Sequence, residues 1–263
     1  MRKYLSIYKS EVMSTFGYVF NILFHTIGYI VMIFIFFNLW NYMYDDPQKL
    51  INGYSKEQMI WYVILTEIIW SAVGGRLLCK RICNDVKGGN IAYLMNKPYS
   101  YINYILSSHL GETTVKAFIT TVIGIGMGFI FFKSIPNISI LGLIIVFISS
   151  FLAVVISTFF ITFIGLFSFI IEDANPFYWL YSKIILVLGT IFPIEFFPGV
   201  LGTIMKFSPI YVTCYGPAKL FVDFDIQNAF YILGAQIIYL GIAWSMCYML
   251  YRKGVRKLNV NGG

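Results

Sequence analysis

Long apolar runs, separated by short polar breaks often marked by glycine or proline, dominate this chain. A membrane-spanning helix needs about 20 mainly apolar residues, because the hydrocarbon core is roughly 30 Å thick and each helical residue rises about 1.5 Å. Six segments meet that requirement: Val19 to Tyr42, Gln58 to Leu78, Glu112 to Phe132, Ile138 to Ile171, Phe177 to Phe197 and Ala229 to Tyr251, with the third helix free to begin near Tyr101. The fourth run has 34 residues, and nothing between Ile140 and Ile170 supplies a polar turn. Two spans would need about 40 residues plus that turn, so one long helix is predicted, tilted or projecting past the bilayer. Ahead of the first run, Leu5, Ile7, Tyr8, Val12, Met13 and Phe16 recur at helical spacing opposite Arg2, Lys3 and Lys9. That pattern predicts an amphipathic helix over residues 1–17 on the cytoplasmic membrane surface. The apolar run behind it is too long and too aromatic for a secretory signal, so the segment is expected to stay as structure.

Composition narrows the class. With 59% hydrophobic and 12% charged residues, the chain departs from soluble domains, which carry about 25% charged and roughly 45–50% apolar residues. A water-soluble globular protein and a disordered chain are both excluded, and four cysteines in 263 residues are too sparse for a disulfide scaffold. The expectation is an all-α polytopic membrane protein forming one transmembrane domain over 1–263. A net charge of +7 then sets orientation and contacts anionic headgroups rather than nucleic acid. With the N-terminus inside, one side collects 12 of the 19 basic residues (Arg2, Lys3, Lys9, Arg76, Lys80, Arg81, Lys87, Lys97, Arg252, Lys253, Arg256 and Lys257) and the other collects Lys49, Lys56, Lys133, Lys206 and Lys219. Both termini are therefore expected in the cytoplasm, and a seven-span arrangement, which would export the basic C-terminal cluster, is disfavoured.

Chemistry-bearing motifs are scarce. No GxxxxGK[ST] phosphate loop, GxSxG, HExxH or strand-following GxGxxG occurs. Gly124, Gly126 and Gly128 lie deep in an apolar helix, where they admit a close neighbour rather than a phosphate. His25 and His109 read as hydrogen-bonded structural residues, two histidines being too few for a metal site without helpers. Cys79 and Cys83, one turn apart on the reducing side, read as free thiols. No metal site is expected. Ionisable groups inside spans are costly and mark functional sites by default. Glu67, mid-span with no charged partner in its own helix, is either a gating or substrate-contacting carboxylate or a protonated or hydrogen-bonded packing residue. Glu112 and Lys116 have the i, i+4 order that favours a helical ion pair. Asn38 and Asn41 lie near the outer end of the first span, within reach of headgroups or a neighbour.

Two loops carry more. Between the second and third spans, Cys79 to Tyr104 is basic and holds an apolar cluster of Ile91, Tyr93, Leu94 and Met95 between Gly88-Gly89 and Pro98. A short amphipathic helix so bounded either docks in a groove on a partner or rests on lipid. After the fifth span, Pro193, Pro198, Pro209 and Pro217 interrupt an apolar stretch too short to cross twice. Broken half-helices dipping into the outer leaflet over 192–226 are predicted there.

At these two loops the sequence resembles the membrane subunit of type-2 ABC exporters, the ABC-2 permease family, and within it the branch of paired six-span permeases with a separate ATPase, similar to viologen and drug exporters. Gly89-Asn90-Ile91-Ala92-Tyr93-Leu94 followed by Lys97-Pro98 looks like that branch's coupling-helix pattern, and Pro193-Ile194-Glu195-Phe196-Phe197-Pro198 with Ser208-Pro209 and Tyr215-Gly216-Pro217 looks like its outer motif. Glu195 departs from the uncharged residue expected in that motif. The likeness covers essentially the whole chain. It implies that Asp85 to Pro98, within a cytoplasmic loop over 79–100, docks on a cytosolic ABC ATPase dimer that holds ATP and Mg, while this chain binds no cofactor and is not an enzyme. It implies a second permease, the same chain or a relative. The cargo is then an amphipathic or hydrophobic compound (drug, peptide antibiotic or lipid) exported across the cell membrane. The alternatives are export of a polyprenyl-linked cell-wall polymer and an ion-coupled carrier or channel, for which Glu67 and Glu112 give thin support and no inverted repeat is evident. An intramembrane enzyme would need a nucleophile-and-base or metal set that the spans do not supply. Enrichment in Ile, Lys, Asn and Tyr points to an AT-rich bacterial genome.

Overall fold

A computed structural model describes residues 2–46, 49–171 and 173–261, with side chains described as far as Arg256. Lys257, counted in the basic C-terminal cluster, has its side chain outside that range. Among the described residues there is no strand, only an isolated bridge between Ile51 and Tyr54. The chain is an all-α multi-pass membrane protein.

Helix α1 (Arg2–Gly17) precedes α2 (Val19–Met43), and α3 (Lys56–Val73) comes next. Only Tyr29, Ile33, Phe36 and Trp40 of α2 are buried, a narrow seam of seven-residue spacing, while Phe20, Phe24, Val31 and Phe34 face outward as lipid-facing residues do. Helix α3 is the centre of the bundle, with Met59 to Ile64 all buried. Its start is fixed by a capping box: the Ser55 hydroxyl accepts from Gln58 N at 3.2 Å, and the Gln58 side chain accepts from Ser55 N at 3.0 Å. Replacing Ser55 with alanine leaves one of the first-turn N–H groups unpaired and is expected to cost about 1 kcal/mol, readable as a lower melting temperature in detergent, whereas Ser55→Asp should restore it.

Gly74 ends α3 in the left-handed region at φ 53°, and α4 (Gly75–Lys87) continues the path at a new angle. The second predicted span is therefore part of one 32-residue run, Lys56–Lys87, broken at Gly74. Helix α5 (Asn90–Met95) is reached through Gly89 at φ 71°. Helix α6 (Tyr101–Phe132) begins at Tyr101, the earlier of the two starts the sequence allowed. Helix α7 (Ile140–Leu166) starts behind the Ser139 cap and is followed by α8 (Ser168–Ile171), so the fourth apolar run is a single crossing with a break at Phe167.

The fifth predicted span differs most. Helix α9 (Asn175–Ile185) widens into a π-turn (Leu186–Ile191) and stops at extended Phe192 before Pro193, which cannot continue it. At this length it falls short of the five helices that are long and apolar enough to cross a membrane, which are α2, α3 with α4, α6, α7 with α8, and α12. A 3₁₀ turn (Ile194–Phe196), α10 (Gly199–Lys206), a second π-turn (Tyr211–Tyr215) and α11 (Gly216–Val222) make a broken hairpin, and α12 (Ile226–Asn261) closes the fold.

Candidate coupling surface and intramembrane cleft

One end of the bundle carries α1, α5 and the start of α6. Ile91 of α5 is fully buried in a cluster with Ile82, Tyr101 and Ile105, and Leu94 and Met95 pack against the same cluster. Tyr93, on the outer face, is 63% exposed, and the Lys97 ammonium sits 4.2 Å from its ring centroid. Hydrogen bonding to Tyr93 holds the Lys97 ammonium above its usual pKa range. A six-residue helix cannot hold itself together by propensity; Ile91 and the two glycines before it fix α5 to the bundle while Tyr93 is presented outward.

Helix α4 extends to Lys87, so the first nine residues of the stretch read from sequence as loop, Cys79 to Lys87, are helical. Asp85 therefore lies in the last turns of α4 rather than beside α5, accepting a 2.9 Å hydrogen bond from the Tyr101 hydroxyl. The reason is amphipathicity: Leu78, Cys79, Ile82 and Cys83 are buried at helical spacing while Lys80, Asn84 and Lys87 point outward. At the end of α4, Lys87 Nζ meets Asp173 at 3.2 Å, and Asp173 Oδ1 accepts from Asn175 N at 2.9 Å at the start of α9. These donors, Asn175 N first, hold the Asp173 carboxyl below its usual range.

The surface helix is tied to this end by groups that lie far apart in sequence. The Lys3 ammonium donates to the Pro98 carbonyl, and Ser100 N donates to the Tyr4 hydroxyl at 3.0 Å. Arg81 Nη1 donates to Ser108 Oγ at 2.9 Å, and Ser108 Oγ donates to Glu11 at 2.9 Å. Gly111 lets α1 lie directly on α6, since a Cβ there would meet the Tyr8 carbonyl oxygen at 2.7 Å. Polar contacts thus join α1 to the α5–α6 connection and to α6, and α4 to α6.

Within the bundle, Lys116 and Glu112 form the expected ion pair at 2.5 Å. His25 Nε2 bonds the Ser71 carbonyl at 2.9 Å and lies 3.0 Å from the Ser71 hydroxyl, joining α2 to α3. His109 is buried with Nε2 unpartnered. Glu67 is 3% exposed, and its Oε1 has no hydrogen-bond partner among the described residues. It lines a cleft of about 530 Å³ between α2 and α3, together with Tyr29, Trp70 and Lys116. Cys79 and Cys83 are buried free thiols, and among the described residues no group of three or more His, Cys, Asp or Glu is placed to hold a metal.

At the opposite end, Glu195 accepts a 2.5 Å hydrogen bond from the Tyr215 hydroxyl and lies 3.9 Å from Lys219 Nζ. Lys219 also pairs with Asp223 at 2.7 Å and sits 4.8 Å from the Tyr54 ring centroid. Pro198 precedes α10, Pro209 precedes the second π-turn, and Pro217 lies in the first turn of α11, where its missing N–H costs little.

A family model described as an ABC-2 family transporter protein matches residues 27–262, from the middle of α2 through α12. This chain belongs to the ABC-2 transporter family. No curated protein matches it. The family match spans α5, the Glu67 cleft and the broken hairpin, and membership implies pairing with an ABC ATPase.

In this ABC-2 chain the sequence reading missed the groups that support the π-turns. The Tyr62 hydroxyl donates to the Gly189 carbonyl at 2.8 Å, and Thr66 Oγ1 donates to the Thr190 carbonyl at 3.2 Å. Gln236 Nε2 donates to both Ser149 O and Val212 O at 2.9 Å. A buried amide in the apolar α12 was the available signal, since a polar side chain inside a span needs a partner.

Proposed function

We propose that this chain is the membrane permease of an ATP-driven exporter that moves an amphipathic or hydrophobic compound out of the cell. The observation that carries the reading is α5, clamped by Ile91 and presenting Tyr93, in a chain of ABC-2 membership. A cytosolic ATPase dimer holds ATP and Mg and receives α5 together with Lys97 and Pro98. Asp85 acts from α4, by fixing Tyr101 at the root of α6. The complex contains two permeases, identical or related. With α9 and its π-turn as a short fifth crossing, the chain crosses six times and both termini lie in the cytoplasm, the orientation that the Lys/Arg bias supports. The broken hairpin with Pro193, Glu195, Pro198, Pro209 and Pro217 then faces the outside of a bacterial plasma membrane. Carbonyls freed in the first π-turn accept from Tyr62 and Thr66, and one in the second accepts from Gln236, as irregular backbone at membrane depth requires.

The test is transport in everted vesicles that contain the chain and its ATPase. Mg-ATP is expected to drive accumulation of a fluorescent amphiphile, with no accumulation when a non-hydrolysable analogue replaces ATP. Accumulation driven equally by an ion gradient without ATP would contradict the proposal.

A further inference from the structure

A cleft beside the broken hairpin carries opposite charges that do not pair with each other. It measures about 550 Å³ and lies between the 3₁₀ turn, α10, the second π-turn and the start of α12. Glu195 stands on one wall and Lys206 on another. Among the described residues no ion pair joins the two, and the Lys206 ammonium has no partner. The Glu195 carboxylate is held by the Tyr215 hydroxyl at 2.5 Å, with Lys219 at 3.9 Å, and is still exposed to the cleft. Gly202 brings α10 close to the turn that carries Glu195, since a Cβ there would meet the Phe197 carbonyl oxygen at 2.5 Å. The Tyr239 hydroxyl donates to the Phe207 carbonyl and ties the end of α10 to α12.

Helix α10 has two distinct faces. Gly199, Gly202, Thr203 and Lys206 line the cleft. Val200, Ile204 and Phe207, spaced i, i+4 and i+7, form an adjoining stripe that is 76%, 59% and 79% exposed. A helix with an apolar stripe beside a polar one lies at the boundary between acyl chains and headgroups. The two charges select what fills the cleft. A simple anion would meet Glu195, and a simple cation would meet Lys206; a zwitterion answers both. An ammonium that carries N–H donors suits the Glu195 carboxylate, and Thr203 and Asn228 add oxygen acceptors in the same lining. A phosphate suits the Lys206 ammonium. The volume is within the range of small-molecule sites, roughly 300–1,000 Å³.

We propose that this cleft binds the headgroup of an outer-leaflet aminophospholipid, its ammonium on Glu195, its phosphate on Lys206 and its acyl chains along Val200, Ile204 and Phe207. It is a lipid seated on the hairpin, independent of whichever cargo the chain moves. Only the choice of leaflet rests on the orientation proposed above. Binding is read on the full chain alone, without ATP, ATPase or transport. Loss of the export reading would therefore leave the site standing, and loss of the site would leave the coupling surface standing.

The experiment titrates the purified full chain in detergent with dihexanoyl phospholipids that share their chains and differ in headgroup, with bound lipid counted by native mass spectrometry. Saturable binding of the ethanolamine lipid is expected. The choline lipid, whose ammonium has no N–H to donate, and the glycerol lipid, which has no cation, are expected to bind more weakly. Glu195→Gln is expected to weaken the ethanolamine lipid about tenfold or more, the effect of losing one charge-assisted hydrogen bond, and not to weaken the glycerol lipid. Lys206→Gln is expected to weaken both. Lys206 is exposed and has no partner, so this variant keeps the fold and carries the test if Glu195→Gln, which also frees Tyr215, melts early. Glycerophosphoethanolamine, the same headgroup without chains, is expected to bind more weakly than the lipid; equal affinity would assign the cleft to a soluble phosphoamine and overturn the lipid assignment. The proposal is also overturned by absent saturable binding of the ethanolamine lipid, by equal affinity for the three lipids, or by an ethanolamine-lipid affinity unchanged in either folded variant.

Discussion

Replacing Gly128 with valine is expected to destabilise the folded chain severely. A Cβ at that position would lie 2.1 Å from Cη2 of Trp61 and 2.5 Å from two further ring atoms. The indole has nowhere to go: Trp61 is 1% exposed and packs edge-on against Phe221 at a centroid distance of 5.7 Å. Overpacking a closed core costs about 1–3 kcal/mol for a few methylenes, and here α3 and α6 must also separate. Helix propensity works the other way by up to about 1 kcal/mol when glycine is replaced in a helix, so the net loss is expected near 2 kcal/mol or above. Gly126 supplies the control, because a Cβ there meets nothing within 4 Å. Thermal melting in detergent should show Gly126→Val close to wild type and Gly128→Val far below it, with much reduced yield. Equal stability of the two variants would contradict the packing described for α3 and α6.

Tyr93→Asp is expected to abolish ATPase association while leaving the fold intact. The two halves of that statement come from two sides of one short helix. Ile91 faces inward, fully buried, and anchors α5 to the cluster around Ile82 and Ile105. Tyr93 faces outward at 63% exposure with only Lys97 over its ring, so nothing in the chain's own core depends on it. Exposed aromatic anchors at interface centres are commonly worth about 2 kcal/mol or more; burying an aspartate in their place adds the cost of desolvating a charge. Binding of the purified ATPase is expected to weaken about 100-fold or more, with an unchanged melting curve. Leu94→Asp would be a poorer probe, because Leu94 also packs on the core. An unchanged affinity in Tyr93→Asp would remove α5 from the docking surface.

Much of this arrangement was legible in the sequence. Spans were legible because burial in lipid demands unbroken apolar length, and the ion pair of Glu112 and Lys116 because i, i+4 spacing brings the two groups together on any helix. Gly124 and Gly128 were legible as packing residues, and the structure separates them from Gly126, where an added Cβ would meet nothing within 4 Å. The extent of α4 was not legible, because Cys79 to Lys87 is basic and lies between a span and a Gly-Gly pair, and its amphipathic pattern is short. The shortened fifth helix escaped for another reason: Phe177 to Phe197 has enough apolar residues to cross, and only the Phe192-Pro193 stop and the π-turn reveal where it ends. Contacts such as Arg81 to Ser108 to Glu11 join three distant segments, which no local spacing specifies.

The central claim, that this ABC-2 chain works through a separate ATPase docked at α5, is tested most directly by affinity purification of the tagged full chain in mild detergent, with mass spectrometry and Mg-ATP hydrolysis measured on the eluate. The account predicts co-elution of a cytosolic protein carrying a phosphate-binding loop, with hydrolysis that disappears when that protein is stripped from the chain. Elution of a folded chain with no such protein, after chemical crosslinking that preserves weak complexes, would contradict it and make a self-sufficient carrier the better description.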